Sequence, residues 1–341
     1  MALLSRAAEN LFWIGRYVER AENMARLLDA GRRMSAIPGQ RDHQSEWEPI
    51  LSAAGCRAQF DRSYDTVNQR NVVEFLAFSR DNASSIVSCL ASARANARSV
   101  RTAMTFEMWE ALNSYWLELK QLAPLKPGDG RLAHFLEDVK RACALFTGVT
   151  SSTILHNDTY NFLRLGQHIE RADKTARILD VKYFALLAPT EEVAGSVDLY
   201  QWAVILRATG SYRAYHWVYG ADLEARHVAD FLILNVDCAR SLAHCVREVN
   251  EHLIRLGRLY AAHHESHELV DAMNQDFSNA DIDKIFADGL HEMITAFIAR
   301  NNALSDQIAR DYYFATQPST PQASAEETVF TSFGSDRQTT A

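Results

Sequence analysis

Two adjacent acid–base couples, Glu19-Arg20 and Glu170-Arg171, are the residues of this sequence best suited to chemistry. A carboxylate taken out of water can move protons, and a guanidinium can clamp a carboxylate or a phosphate. Each couple sits at the same place in a repeated stretch of 21 residues, Glu9–Asp29 and Tyr160–Asp180, and nine positions are identical. These are Asn10/Asn161, Gly15/Gly166, Glu19/Glu170, Arg20/Arg171, Ala21/Ala172, Ala25/Ala176, Arg26/Arg177, Leu28/Leu179 and Asp29/Asp180. A solvated surface needs no such identity of charge type. Neighbours in sequence point about 100° apart on a helix, so Glu19 cannot pair well with Arg20. If the two copies meet near a pseudo-twofold axis, Glu19 approaches Arg171 and Glu170 approaches Arg20. Two readings stay open: ion pairs that fix helix register, or a shared polar cleft that binds a substrate or a partner.

Arg94, Arg98 and Arg101 follow at i, i+4 and i+7, which places three guanidiniums on one stripe of a helix. Such a stripe pairs with carboxylates, including the motif glutamates, or forms a pocket for a phosphate or peptide carboxylate. The second half does not repeat it, having Asn250, Ile254 and Gly257 at the equivalent places. Metal-ligand patterns are weak. His264–Glu268 resembles HExxH but ends in Glu, His263 and His267 stand at i, i+4, and Glu224–His227 is a lone Glu-x-x-His. No nucleophile elbow, Gly-rich phosphate loop or Cys-His signature is present. The sequence therefore offers no catalytic residue, cofactor site or metal site. Its binding candidates are Gly15, Glu19, Arg20, Arg26, Gly166, Glu170, Arg171, Arg177, Arg94, Arg98 and Arg101.

The elements that position these residues are helices. Leu11, Trp13, Ile14, Tyr17, Val18, Ala21, Met24, Ala25 and Leu28 recur at three- and four-residue steps and form an apolar arc. Gly15, Glu19, Glu22, Arg26 and Asp29 fill an arc of about 80° beside it, and Gly166, Glu170, Asp173, Arg177 and Asp180 repeat that arc. A glycine inside a helix costs about 1 kcal/mol against alanine, so glycines at one wheel position in both copies mark a close approach of another backbone or a ligand.

The chain then reads as helices over 5–36, 46–64, 68–78, 82–104, 105–122 and 131–155, then the second motif helix between Asp158 and Pro189, and helices over 200–219, 223–234, 238–262 and 282–314. Trp47/Trp202, Leu51/Leu206, Ala53/Ala208 and Gly55/Gly210 pair at an offset of 155; Phe75/Phe231, Leu76/Leu232, Asp81/Asp237, Ser85/Ser241 and Cys89/Cys245 pair at 156. Asp81 and Asp237 are expected to open the helices that follow. The predicted fold is all-α, an internally duplicated bundle of long antiparallel helices. Residues 1–158 and 159–315 form the two repeats, merged in one domain, and 316–341 a disordered Ser/Thr/Gln/Pro-rich tail.

Composition agrees. Apolar residues make up 48% of 341, enough for sizeable cores, and only 14 Gly and 7 Pro favour long helices over a turn-rich β-protein. A net charge of −8 argues against a nucleic-acid or anionic-membrane surface. No apolar run approaches the ~20 residues of a membrane span, and charges interrupt the N-terminal stretch where a signal peptide would lie. Cys56, Cys89, Cys143, Cys238 and Cys245, without a CxxC, read as buried reduced thiols in a cytoplasmic protein. The aromatic set Trp109, Tyr115, Trp116, Tyr212, Tyr215, His216 and Trp217 reads mostly as core, and any exposed member would suggest a partner surface.

The stretch LLSRAAENLFWIGRYVERAENMARLLD resembles the opening of the bacterial alpha-E family, and FLRLGQHIERADKTARILD is similar to that family's second motif. Further matches are Arg94, Asn96, Ala97, Arg98 and Arg101, then Glu107, Trp109, Glu110 and Asn113, and GSYRAYHW at Gly210–Trp217; together they cover about residues 3–313. A Pro-containing turn after Asn235 is replaced here by Val236–Ala239. The resemblance implies an all-helical domain. It also implies the company of a circularly permuted ATP-grasp ligase, a transglutaminase-like protease and an Ntn-type hydrolase, in a system that makes or modifies peptides. The expected role is a non-catalytic helical partner of the ATP-grasp ligase that binds the ligase or its peptide substrate. The alternative is an enzyme of the same system that uses the motif carboxylates for acid–base work on a peptide or amide.

Overall fold

The computed structural model describes residues 5–35, 47–122, 129–186 and 196–314, without the side chains at 129, 181–186 and 196–200. The expected turns at Pro38, Pro124, Pro127 and Pro189, and the expected tail over 316–341, lie outside the described residues. Among the described residues there are fifteen α-helices and no strand. The first repeat holds α1 (Ser5–Met34), α2 (Trp47–Ala54), α3 (Arg57–Phe60), α4 (Gln69–Val73), α5 (Ile86–Ser99), α6 (Phe106–Leu122) and α7 (Asp129–Thr153). The second holds α8 (Asp158–Leu186), α9 (Ser196–Ala208), α10 (Tyr212–Tyr219), α11 (Ala225–Ile233), α12 (Leu242–Tyr260), α13 (Glu265–Ser278), α14 (Ile282–Asp288) and α15 (Leu290–Asp311). The fold is all-α.

The motif helices α1 and α8 make the most extensive helix contact and lie side by side at the centre. Their partners advance in step: Gly15 lies against Leu163 and Gln167, and Arg20 against Glu170. The two helices therefore run in the same direction. In the second repeat their neighbours α12 and α15 run against α8. Along α8, Asn161 meets His252 of α12 and Arg171 meets Ala239 just before it. Along α15, Asp180 meets His291 and Ile169 meets Asn301. The short second helices cross over: α2 packs on α8, and α9 packs on α1. Each repeat thus buries its apolar faces partly against the other, and a single cluster with members from Ala8 to Tyr312 forms the main core.

Several expected helices are interrupted, each by local chemistry. The segment over 46–64 breaks between α2 and α3 at Gly55 (φ 72°), and the segment over 200–219 breaks between α9 and α10 at Gly210 (φ 68°). Gly289 (φ 112°) separates α14 from α15 within 282–314. L-residues rarely adopt these angles, so a glycine there stops the helix. The long helices expected over 82–104 and 238–262 start late, at Ile86 and Leu242. Ser85 and Ser241, not Asp81 and Asp237, cap them by accepting from Ser88 N (3.2 Å) and His244 N (3.0 Å). Where a Pro-containing turn was expected, Asn235 builds the turn with its side chain, accepting from Asp237 N and Cys238 N at 2.9 and 3.0 Å.

Candidate functional site

The packing of α1 on α8 starts at the two motif glycines. A Cβ on Gly15 would lie 2.1 Å from Leu163 O, and one on Gly166 would lie 1.9 Å from Phe12 O. Phe12 and Leu163 are equivalent positions of the duplication, so the two clashes are images of each other across a local twofold axis. Backbone meets backbone there, and the glycines are required by close approach.

One turn further on, the acid–guanidinium couples exchange partners across the axis. Arg20 Nε and Nη2 donate to Glu170 Oε1 and Oε2 at 2.6 and 2.8 Å. Arg171 Nε and Nη2 donate to Glu19 Oε1 and Oε2 at 3.1 and 2.7 Å. This is the reciprocal pairing expected from the sequence. Glu19 is 1% and Glu170 0% exposed. Burial alone would raise their pKa values, but Arg171 and Arg240 around Glu19, and Arg20 and Arg16 around Glu170, hold both well below the usual carboxylate range.

The remaining ligands of each carboxylate differ in identity but not in effect. Glu170 also accepts from Arg16 Nε at 2.9 Å, with Lys174 Nζ at 3.9 Å. Arg16 continues to Ser305 Oγ at 3.0 Å and lies over the Trp13 ring. Glu19 also accepts from Arg240 Nη1 (2.8 Å), Asn23 Nδ2 (3.2 Å) and Gln167 Nε2 (3.3 Å). Gln167 stands where the first repeat has Arg16, and Asn23 where the second has Lys174. The cation that Glu19 lacks at those places is supplied by Arg240 from the turn before α12. Arg240 Nη2 also donates to Glu22 at 2.7 Å. Arg16, Lys174, Gln167 and Arg240 were not among the sequence candidates. Arg240 had no signal, because its partner lies 221 positions away and its counterpart in the first repeat is Ser84.

The outer motif arginines reach the opposite repeat, and the outer motif aspartates bind within their own. Arg26 donates to Glu22 (2.8 Å), and its guanidinium sits where a Cβ on Gly210 would come within 2.9 Å. Arg177 donates to Asp173 (2.9 Å) and faces Gly55 in the same way, at 3.3 Å. Asp29 faces Lys140 of α7 at 3.4 Å, and Asp180 faces His291 of α15 at 2.5 Å. The candidates Gly15, Glu19, Arg20, Arg26, Gly166, Glu170, Arg171 and Arg177 thus all lie along the contact of α1 with α8, with Arg26, Arg171 and Arg177 partly exposed. Around Glu19 and Glu170 the geometry follows the ion-pair reading: both carboxylates are buried and taken up by guanidiniums.

The Arg94 stripe does not form as expected. Helix α5 ends at Ser99, and Arg101 lies in a 3₁₀ turn over Arg101–Ala103. Arg98 is exposed. Arg94 and Arg101 instead converge on Trp109, 5.7 and 5.1 Å from its ring centre, while Arg94 Nε donates to Asn113 at 2.8 Å. None of the three joins the motif glutamates; Arg94 from α5 and Arg101 from the turn after it hold Trp109 and Asn113 of α6. His267 is committed within the protein: its Nδ1 accepts from His264 N (3.1 Å) and its Nε2 donates to Leu253 O (3.0 Å). All five cysteines are free and buried; burial pushes Cys89 and Cys245 up to about 12. Of the aromatic set, Tyr215 is buried and donates to Asp222 O at 2.8 Å, whereas Trp217 is 80% exposed.

A reciprocal Glu-Arg lattice at the centre of an all-helical chain coincides with a family model described as a predicted alpha-helical domain with a conserved ER motif, which matches residues 3–313. The chain belongs to the Alpha-E family. Among curated proteins it is similar to an uncharacterized protein of Mycobacterium bovis and one of Mycobacterium tuberculosis strain CDC 1551, each 26% identical over 93% of this chain. A third, from M. tuberculosis strain H37Rv, is 25% identical over the same share. The chain spans 37% of the length of each of these relatives. No solved structure matches it. Among the described residues no helix is long and apolar enough to cross a membrane.

Proposed function

We propose that this Alpha-E chain is a non-catalytic helical partner of a circularly permuted ATP-grasp peptide ligase, working in the cytoplasm in a system that makes or modifies peptides. A transglutaminase-like protease of the same system and the ligase's peptide substrate are the further partners of this reading. The observation that carries it is the state of Glu19 and Glu170. Each is buried, held ionised and surrounded by cations. A general acid needs a proton to give near neutral pH, and a general base needs a free lone pair facing substrate; these two carboxylates have neither. That state favours the non-catalytic reading over the acid–base alternative.

Two further points support the reading. The mycobacterial relatives are longer chains of which the matched region is 37%, as suits a module that works beside others. Trp217 and Val218 of α10, 80% and 55% exposed, belong to or adjoin the GSYRAYHW motif and present apolar surface of the kind that anchors partners. The test is to mix the purified chain with the ligase and follow the complex by size-exclusion chromatography and calorimetry. A complex that Trp217→Ser weakens at least tenfold is the expected result. Absence of a complex, or peptide turnover by this chain alone that Glu19→Gln abolishes in a folded protein, would refute the reading.

A further inference from the structure

We propose that His168 of α8 with Glu248 and His252 of α12 forms a binding site for one divalent cation of the zinc class. Their ligating atoms, one from each residue, lie within 4.8 Å of one another. Tetrahedral zinc with bonds of about 2.0–2.1 Å places its donors about 3.3 Å apart, so the three side chains draw together on binding. Two nitrogen donors and one carboxylate suit such an ion and leave a fourth position open.

The state of the histidines points to a ligand. His168 is 1% exposed, and neither of its ring nitrogens has a hydrogen-bond partner in the protein. A buried imidazole without partners is costly and rare. His252 is 3% exposed; its Nδ1 lies 2.9 Å from Asn161 Oδ1, while its buried Nε2 has no partner. The Asn161 amide nitrogen donates to Asn157 O at 2.7 Å, which turns its oxygen toward His252. Nδ1 is therefore the protonated nitrogen, and Nε2 presents a lone pair, the usual way a second residue orients a metal-binding histidine. Burial keeps both imidazoles neutral, His252 with a pKa down to about 3 and His168 well below its ordinary value. Neutral imidazole is the form that binds metal.

Glu248 Oε2 stands 4.0 Å from His168 Nε2, and its side chain is 28% exposed, which gives an entry route from solvent. Opposing charge comes from Arg164 and Arg171, which lower His168 further, and from Arg255 beside His252. Arg164 is drawn aside by Gln167 Oε1 (2.6 Å) and lies over the Tyr160 ring, and Arg171 is consumed by Glu19. His244, one turn before Glu248, has its ring centre 6.1 Å from that of His168. The first repeat has Tyr17, Ser92 and Asn96 at the equivalent positions, so the site belongs to the second repeat alone.

The experiment uses the full chain stripped with chelator and then titrated with zinc by calorimetry, with metal content measured after desalting. One zinc per chain is expected, with affinity falling more than about tenfold in Glu248→Gln and in His168→Gln, since even outer-shell losses cost about 10–100-fold. His263→Ala should change nothing. Cobalt(II) reads the wild-type protein directly: one equivalent should give the intense visible bands of a four-coordinate site with nitrogen and oxygen donors. The proposal is overturned by no stoichiometric binding, by binding that only His263→Ala removes, or by the weak spectrum of hydrated cobalt. The cobalt result decides even if both variants misfold.

Discussion

Replacing Gly166 with alanine tests the closeness of the central helix pair. The new methyl would start 1.9 Å from Phe12 O, 2.8 Å from Phe12 C and 3.2 Å from Arg16 N. These are backbone atoms of the facing helix and cannot swing aside. An ordinary contact is about 3.4 Å, so α1 and α8 must part by roughly 1.5 Å at this point, which forfeits much of the dispersion between them. The Arg20–Glu170 bonds at 2.6 and 2.8 Å lie one turn away and lengthen with the separation. Overpacking costs about 1–3 kcal/mol and opening a buried pair up to about 3–5, against a gain of about 1 from helix propensity. A net loss of about 3–5 kcal/mol is expected from urea unfolding followed by far-UV circular dichroism. Gly148→Ala is the internal control: it lies in α7 with nothing within 4 Å of its would-be Cβ. It should stabilise by about 0.5–1 kcal/mol. If Gly166→Ala stabilises as Gly148→Ala does, the two backbones do not touch and the argument fails.

Three further outcomes follow. Metal-free stability should fall in two stages as pH drops, because native His168, His252, Glu19 and Glu170 all have pKa values below their unfolded ones, so the unfolded chain takes up protons first. The histidine contribution is complete above about pH 7 and is lost below about 6.5, and the carboxylate contribution is lost below about 4.3; a urea midpoint that is flat from pH 7 to 4 would contradict this, and His252→Gln should blunt the first stage. Arg240→Met leaves Glu19 and Glu22 each short of one cation and should cost about 3 kcal/mol by the same unfolding assay. Trp217→Ser, at an 80% exposed site, should change stability by no more than about 0.5 kcal/mol while weakening the ligase complex.

Much of this architecture was legible in the chain because the duplication writes each constraint twice. Gly15 and Gly166 announced the close approach, and the neighbour rule on a helix forced Glu19 and Arg20 to look for separate partners. What local periodicity could not supply were contacts made once and at long range. Arg240 replaces a serine in a turn, so nothing in the repeat marks it. Gly55 and Gly210 were visible as a matched pair, yet their role as helix breaks depends on positive φ angles that composition does not reveal. The Arg94 stripe looked continuous because α5 could run past Ser99; the 3₁₀ turn at Arg101 ended it and turned two of the three arginines onto Trp109. The His168 trio was missed because its members come from separate helices, although Glu248 and His252 at i, i+4 were in plain sight.

The central claim is that the glutamate of each motif copy is held by the arginine of the other. A double-mutant cycle with Arg20→Gln and Glu170→Gln measures this most directly, with Glu19→Gln against Arg20→Gln as reference. Each single variant strands a buried charge, so Arg20 and Glu170 should couple by at least about 2 kcal/mol, whereas the sequence neighbours Glu19 and Arg20 should couple by less than about 0.5. Coupling near zero between positions 20 and 170, in variants that still fold, would contradict the account.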